Sequence, residues 1–587
     1  MDDLCRGRGL AIKGDAIEGE KALSILDLRS MPVHTLLQVD VAVIGGGPAG
    51  LTIARELTGK ADVLVLDSGG PSYEPGPQAL NAVENTGEPS GGRQAPEGRG
   101  YNGSLSWLNA IPAFELRNRM LGGSTHTWIG KCAAFDDMDF ALRPWLRLSG
   151  WPFERNELMP HLGRAAELLN LGPNVYDEKL HDLLRTAPEE LRLDAKSLRY
   201  FFWQFSHERK KRGEPMRFAS VARGLAQSGT KFLTNANVTE IRAEQRGYHS
   251  LSVASAEGNT ATVRAKMVVL CCGGVENARL LLASNSLSPA GLGNTRSTVG
   301  RYLADHPRTT LMRFRKSRDI DAVTRHFNFY GLKHDGAPHF YLRGLSLSPA
   351  IQAREGLTNC AAYPVQIHAA DDPWAALKRL AKGGGKRALG DLLTVAGSAG
   401  MVASGAYQRL VKMRGLPHRS AELRFDVMAE QQLDPESRVT LSEKLDRFGK
   451  PIARVNWKIG ETEVESIARL AQTIAGEFQR LGLPEPELAE WIASGDRAAA
   501  AFMDMAHPSC TTRMGSDPAT SVVDRNAMVH GVDGLYVAGS SVFPTAGHAN
   551  PTLMLVALSM RLADHLSERL AGERRPASGA QQSRQVV

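Results

Sequence analysis

Between Val39 and Gly70 the chain reads VDVAVIGGGPAGLTIARELTGKADVLVLDSGG, and its hydrophobic period changes twice. Val39 to Ile44 is an apolar, β-branched run that predicts a buried strand. Leu51, Ala54 and Leu57 then recur at helical spacing, and Val63 to Leu66 predicts a second buried strand ending at Asp67. The pattern returns far downstream. KMVVLCCGGVENARLLLAS, Lys266 to Ser284, predicts a strand, a turn at Gly273 and Gly274, and a helix; KFLTNANVTEIRAE, Lys231 to Glu244, predicts a strand and turn before it. Near the C-terminus, GHANPTLMLVAL sets Asn550 and Pro551 ahead of a long apolar-rich helix, Asn550 as N-cap and Pro551 at the first helical position. Units this far apart predict an α/β fold, α+β overall, with its strand–helix domain assembled from discontinuous segments.

The turn after the first strand carries Gly45-x-Gly47-x-x-Gly50, with Asp67 22 positions beyond Gly45. Gly45 permits the tight turn, Gly47 lets backbone approach a pyrophosphate, and Gly50 lets helix and strand pack closely. The helix N-terminus then faces phosphate, and Asp67 accepts from a ribose hydroxyl. This is a dinucleotide-binding fingerprint in its proper strand–helix context. The motif itself does not separate FAD from NAD. A single such fingerprint, with the remaining strands far away in sequence, resembles the large FAD-binding flavoproteins and gives no support to a second, NAD(P) site.

Composition narrows the partners. The 587 residues are 42% hydrophobic and 23% charged, as in ordinary globular proteins, and 70 basic against 63 acidic residues leave a net charge of +7. No aromatic-interleaved basic stretch points to nucleic acid, and the charge suits an anionic cofactor. Cys5, Cys132, Cys271, Cys272, Cys360 and Cys510 form no CxxC pair and no disulfide framework, so no metal site is expected; Cys132 and Cys510 read as small buried residues. There is no signal-peptide pattern and no 18-residue apolar span, which predicts a cytoplasmic protein without a transmembrane segment.

Four stretches resemble the glucose-methanol-choline (GMC) oxidoreductases: the Val39 to Gly70 fingerprint, LGGSTHTWIGKC from Leu121 to Cys132, VVLCCGGVENARLLLAS, and the last hundred residues. SGWPFERNELMPHLGRAAELLN and EQQLDPESRVTLSEKLDRFGKPIARVNWKI are similar to the branch containing pyranose oxidase and bacterial sugar dehydrogenases. The resemblance implies a Rossmann-like FAD domain, a substrate domain with an antiparallel sheet, and oxidation of a CH–OH group of a sugar, glycoside or polyol. The alternatives are a non-sugar alcohol oxidase or dehydrogenase and a lyase that keeps FAD structurally. His507, four residues before Thr511 and seven before Met514, matches the family's histidine over the flavin, and the NPTL stretch puts Asn550 in the second catalytic position. Removing a hydroxyl proton while hydride moves to flavin N5 needs a base near neutral pH, a role that suits His507; Asn550 orients the hydroxyl. His548 falls outside this pair and is expected to line the substrate. The cofactor is expected on Gly45, Gly47, Gly50, Asp67, Gly122, Gly123, Ser124, Val238, Gly539, Asn550, Pro551 and Thr552.

Family members attach FAD covalently through a histidine in a GG…THW stretch. Here GGSTHTW displaces His126 by one position, so noncovalent FAD is expected. The expected plan is an irregular extension at 1–36; FAD-domain segments at 37–148, 219–310 and 500–570; substrate-domain segments at 149–218 and 311–499; and a disordered tail at 571–587. Within the latter substrate segment, the basic, Gly- and Ala-rich stretch 375–415 reads as a solvated helical excursion, with a lid, a membrane-surface patch or a partner contact as alternatives. The electron acceptor is oxygen, a quinone or a redox protein, and the chain is compatible with a homo-oligomer.

Overall fold

The computed structural model describes residues 24–87, 117–184, 191–210, 214–244, 247–383 and 385–574. A first sheet takes strands from most of the chain: β1 (Ile25–Asp27), β2 (Thr35–Ile44), β3 (Val63–Leu66), β7 (Lys231–Thr234), β8 (Asn237–Ala243), β9 (His249–Ala254), β10 (Thr260–Leu270) and β19 (Leu535–Val537). Its order is β1-β7-β3-β2-β10-β9-β8, and β19 pairs with the upper end of β10. The strands from β1 to β10, and β19, run parallel; β9 and β8 turn antiparallel. Val41, Ala42 and Val43 of β2 and Val268, Val269 and Leu270 of β10 are fully buried, as expected of central strands covered on both faces. Helix α1 (Pro48–Leu57) follows β2, and α2 (Gly273–Ala283) follows β10. The expected α/β class holds.

A second sheet is antiparallel throughout and is ordered β18-β11-β15-β14-β13-β6-β5, with β12 on β13. Its members are β5 (Lys131–Cys132), β6 (Leu198–Phe205), β11 (Arg308–Phe314), β12 (Phe329–His334), β13 (Ala337–Leu347), β14 (Cys360–His368), β15 (Ser420–Ala429) and β18 (Glu487–Leu488). Between β14 and β15 the chain leaves the sheet as three short helices, α3 (Pro373–Ala381), α4 (Ala388–Ala396) and α5 (Ala399–Leu410). Helix α6 (Glu461–Arg480) lays Ile467, Leu470, Ala471, Ile474 and Phe478, an i, i+3, i+4 stripe, into a core with Phe314, Phe327 and Phe425. A three-stranded sheet of β4 (Val83–Asn85), β16 (Arg438–Leu445) and β17 (Pro451–Asn456) completes the strands.

Two sequence expectations are corrected. Residues 25–27, assigned to an irregular extension, form the edge strand β1 against β7; three residues are too few to display a period. The last helix, α7 (Thr552–Arg574), continues through 571–574, the first residues of the expected tail; 575–587 lie outside the described residues. The five described cysteines are free thiols.

Candidate active site

At the end of β2 the amide of Gly45 donates to the carbonyl of Leu66 at 2.7 Å, and Gly45 adopts φ of +109°. A Cβ there would lie 2.6 Å from the Cys271 carbonyl oxygen, and one on Gly50 would lie 2.0 Å from that of Gly45. Any side chain at either place would push helix and strand apart. Gly47 is different: a Cβ there meets nothing within 4 Å, so its backbone faces open space at the N-terminus of α1, whose amides carry no side-chain cap. Gly122 and Gly123 fold across this turn; the Gly122 amide donates to Gly46 at 2.8 Å, and a Cβ on Gly123 would lie 2.9 Å from Gly47 Cα. Ser124 is exposed in the short helical turn that follows. Asp67 accepts from the amides of Gly46 and Gly69, each at 2.8 Å, so the carboxylate shapes the turn besides ending β3. Val238 lies in β8 beside a cleft lined by Ser68, Asn235 and Asn237. Gly539, with φ of +106° and open space at its Cβ position, closes the far side after β19. A glycine-walled cradle at a helix N-terminus fits a dinucleotide pyrophosphate.

The chemistry converges above β10. Asp305, fully buried, accepts from the amides of His306 (2.6 Å), Met505 (3.0 Å) and His507 (2.7 Å), pinning two segments some two hundred residues apart. The two rings meet directly: His306 Nδ1 lies 3.0 Å from His507 Nδ1, and His306 Nε2 lies 3.3 Å from the carbonyl oxygen of Ala546. A carbonyl only accepts, so His306 carries its proton on Nε2. Burial holds the His306 imidazole down to about 4, and burial, His306 and Lys131 hold that of His507 well below its ordinary value. Both rings are therefore neutral at pH 7, each with one N–H. His306 Nδ1 then accepts, His507 Nδ1 donates, and the lone pair of His507 is left on Nε2. That atom has no hydrogen-bond partner among the described residues. No motif spacing marked His306; the adjacent Asp-His pair was the one available signal.

Gly547, with φ of +59°, turns the chain where a Cβ would lie 2.9 Å from the Phe135 ring. His548 and Asn550 follow this turn. His548, expected to line the substrate, is 0% exposed and packs edge-on against Phe201 at 4.5 Å, and neither ring nitrogen has a partner. Burial holds its imidazole down to about 4, Asp136 opposing. Asn550 does not serve as the expected N-cap either. The Leu555 amide donates to Pro551 at 2.9 Å, so the first turn closes one residue later and α7 starts at Thr552. The side-chain oxygen of Asn550 is buried and unpartnered. An orphaned amide oxygen in a protein interior is costly, about 1 to 3 kcal/mol, and its natural complement is a bound group.

The second sheet adds a residue that sequence reasoning missed. Lys131, on the two-residue strand β5, is 4% exposed and sets its ammonium 4.2 Å from the ring centre of Trp203 and 3.6 Å from that of Tyr363. No carboxylate among the described residues pairs with it. Burial, assisted by Arg308 and opposed by Asp426, holds it down to about 7. Its charge reaches His507. The aromatic partners come from β6 and β14, far from Lys131 in sequence.

This fold and cradle define a dinucleotide-binding protein. Residues 40–291 match the family described as FAD dependent oxidoreductase, and residues 434–559 match GMC oxidoreductase. These matches support membership of the GMC oxidoreductases, with FAD as the cofactor. It is 24% identical to 6'''-hydroxyparomomycin C oxidase of Streptomyces lividus over 91% of this chain and 92% of that protein. It is also 24% identical to the fructose dehydrogenase large subunit of Gluconobacter japonicus, but that match covers 57% of this chain and only 54% of the relative. Among solved structures, formate oxidase of Aspergillus oryzae RIB40 superposes with a TM-score of 0.53 at 16% identity, covering 92% of this chain and 99% of that one, a likeness of fold.

Proposed function

We propose that the protein oxidises a CH–OH group of a sugar, glycoside or other polyol to the carbonyl, in the sugar-oxidising branch of its family. The carrying observation is the unpartnered Nε2 of His507, with the buried side-chain amide of Asn550 as the second polar group. His507 takes the hydroxyl proton on Nε2, and Asn550 holds the substrate oxygen by donating through its amide while the carbonyl forms. When bound, FAD supplies the acceptor for the hydride that leaves the substrate carbon, so one proton and one hydride depart and the alcohol loses two electrons. Gly45, Gly47, Gly50, Asp67, Gly122, Gly123, Ser124, Val238, Gly539, Asn550, Pro551 and Thr552 would hold the cofactor. The names of the two relatives, an oxidase of 6'''-hydroxyparomomycin C and a fructose dehydrogenase, support polyhydroxylated substrates. The test is anaerobic flavin bleaching across sugars, glycosides and simple alcohols. Bleaching by polyhydroxylated compounds is expected; no bleaching by any alcohol would leave the lyase reading and overturn this one.

Asn550→Ala is expected to lower the anaerobic reduction rate by roughly 10-fold or more, the scale of a lost orienting hydrogen bond. His548→Asn, altering a ring that touches Phe201 behind the wall, is expected to leave that rate within a few-fold. The opposite ranking would reverse the two assignments.

FAD is held noncovalently in this proposal. His126 Nε2 is 2.8 Å from the carbonyl oxygen of Leu121, and a Cβ on Gly122 would lie 2.9 Å from the same nitrogen. The imidazole is thus committed to its own turn. Acid precipitation should leave the yellow colour in the supernatant; colour in the washed pellet would contradict this.

A further inference from the structure

The excursion between β14 and β15 is folded inside out. In α4, Leu389, Leu392, Leu393 and Ala396 recur at i, i+3, i+4 and i+7, the spacing of a core-facing stripe, yet all four are exposed: Leu389 is 73% and Leu393 67% accessible. Asp391, on the opposite face, is 4% exposed and receives both Nε and Nη2 of Arg379 from α3 at 3.0 and 2.6 Å. Helix α5 repeats the arrangement. Gly405 is buried where a Cβ would lie 2.3 Å from Trp374, while Tyr407 and Leu410, the latter 80% exposed, face outward with Val411. Of the fifteen large apolar side chains exposed among the described residues, seven fall between Leu377 and Val411. A helix hairpin that merely bridged two strands through solvent would turn these faces round, so the outward stripe has an occupant.

Charge identifies it. Residues 373–415 hold eight Lys and Arg and one acidic residue, Asp391, which is consumed by Arg379. Since the chain has 70 basic and 63 acidic residues, everything outside this stretch is balanced at 62 of each: the whole net charge of +7 resides here. Lys378, Lys382 and Arg387 are exposed in the same stretch as the leucines, while Arg409 lays its guanidinium over the Phe340 ring at 3.7 Å. Leucine and tyrosine side chains ringed by lysine and arginine are the composition of a segment that lies in a lipid interface. A second copy of the chain would oppose like charge to like charge. The helices have nine to twelve residues and none in the described chain is long and apolar enough to cross a membrane, so the segment lies on the surface.

We propose that α3, α4 and α5 form a docking surface for an anionic lipid bilayer, with Leu389, Leu392, Leu393 and Leu410 entering the interface and the surrounding Lys and Arg meeting lipid phosphates. The excursion expected to be solvated is thereby an interfacial anchor. The proposal is independent of the reaction assigned above. The test is sedimentation of the full-length FAD-loaded protein with vesicles of equimolar phosphatidylglycerol and phosphatidylcholine, against phosphatidylcholine alone, with anaerobic activity as the control for folding. The wild type should partition at least ~10-fold more strongly onto the anionic vesicles, and added salt should weaken this. The triple change Leu389→Ser, Leu392→Ser, Leu393→Ser should lower the partition by ~10-fold or more at unchanged activity in free solution. Lys378→Glu with Arg387→Glu should remove the preference for anionic lipid. Wild-type protein remaining in the supernatant at low ionic strength would overturn the proposal. So would equal pelleting of the triple variant, or a fall in its oligomeric mass with no lipid binding by the parent, which would assign the surface to a second copy.

Discussion

His507→Ala is expected to retain FAD and to lose at least ~10²-fold in turnover, the scale of general base catalysis. The ring is not a packing element whose loss would open the core: it is half-buried, and its backbone amide, held by Asp305 at 2.7 Å, is unaffected by the change. What disappears is one lone pair in a water-poor site, with no neighbouring group among the described residues placed to replace it. Stopped-flow measurement of anaerobic flavin reduction reads the effect before any electron acceptor intervenes, and the bound-flavin spectrum verifies the cradle. A rate within a few-fold of the parent would sink the assignment. Because burial, His306 and Lys131 all disfavour the protonated ring, the base stays available as pH falls through 6.5, and activity should decline only well below that value.

The second large effect is expected at His306, which touches His507 and acts through it. His306→Phe keeps a ring in the core but removes the acceptor at 3.0 Å, freeing His507 to carry its proton on either nitrogen. A positioning partner of this kind is worth roughly 10- to 100-fold, so kcat should fall by that amount with little change in substrate affinity. His306→Asn offers a carbonyl oxygen in place of the ring nitrogen and should recover part of the loss. The pH profile separates this role from simple support: at low pH a protonated His306 disfavours the His507 imidazolium by charge repulsion, so its removal should move the acid limb toward higher pH. A lower yield of folded enzyme with the limb unmoved would mean that His306 only supports the fold.

The nucleotide cradle was legible because it is local. Gly45, Gly47, Gly50 and Asp67 sit within one strand–helix–strand unit, and period and glycine spacing dictate their geometry together. The two residues proposed for catalysis stand in recognisable stretches, but the pairing of His507 with His306, 201 residues before it, leaves no periodic trace at that range. The burial of both His548 and Asn550 was not legible for a related reason: the glycine turn ahead of them packs against Phe135, more than four hundred residues away. Lys131 was invisible because its aromatic partners are cross-strand neighbours. In the 375–415 excursion the amphipathic spacing was plain, but spacing states only that a helix has two faces; which one meets the protein emerged from Asp391 turning inward onto Arg379.

One consequence of the first sheet concerns the order in which the molecule is made. β10 pairs with β2 along nine residues but waits for β19, synthesised some 265 residues later, to cover its other edge at Val268, Val269 and Leu270. Gly539, His507 and α7 arrive with it. A nascent chain therefore exposes a finished nucleotide turn beside an unfinished wall, and pairing at such sequence separation is slow. The first sheet is complete only when the segment carrying β19 and α7 docks, which ties the survival of the half-built sheet to how quickly that segment closes it.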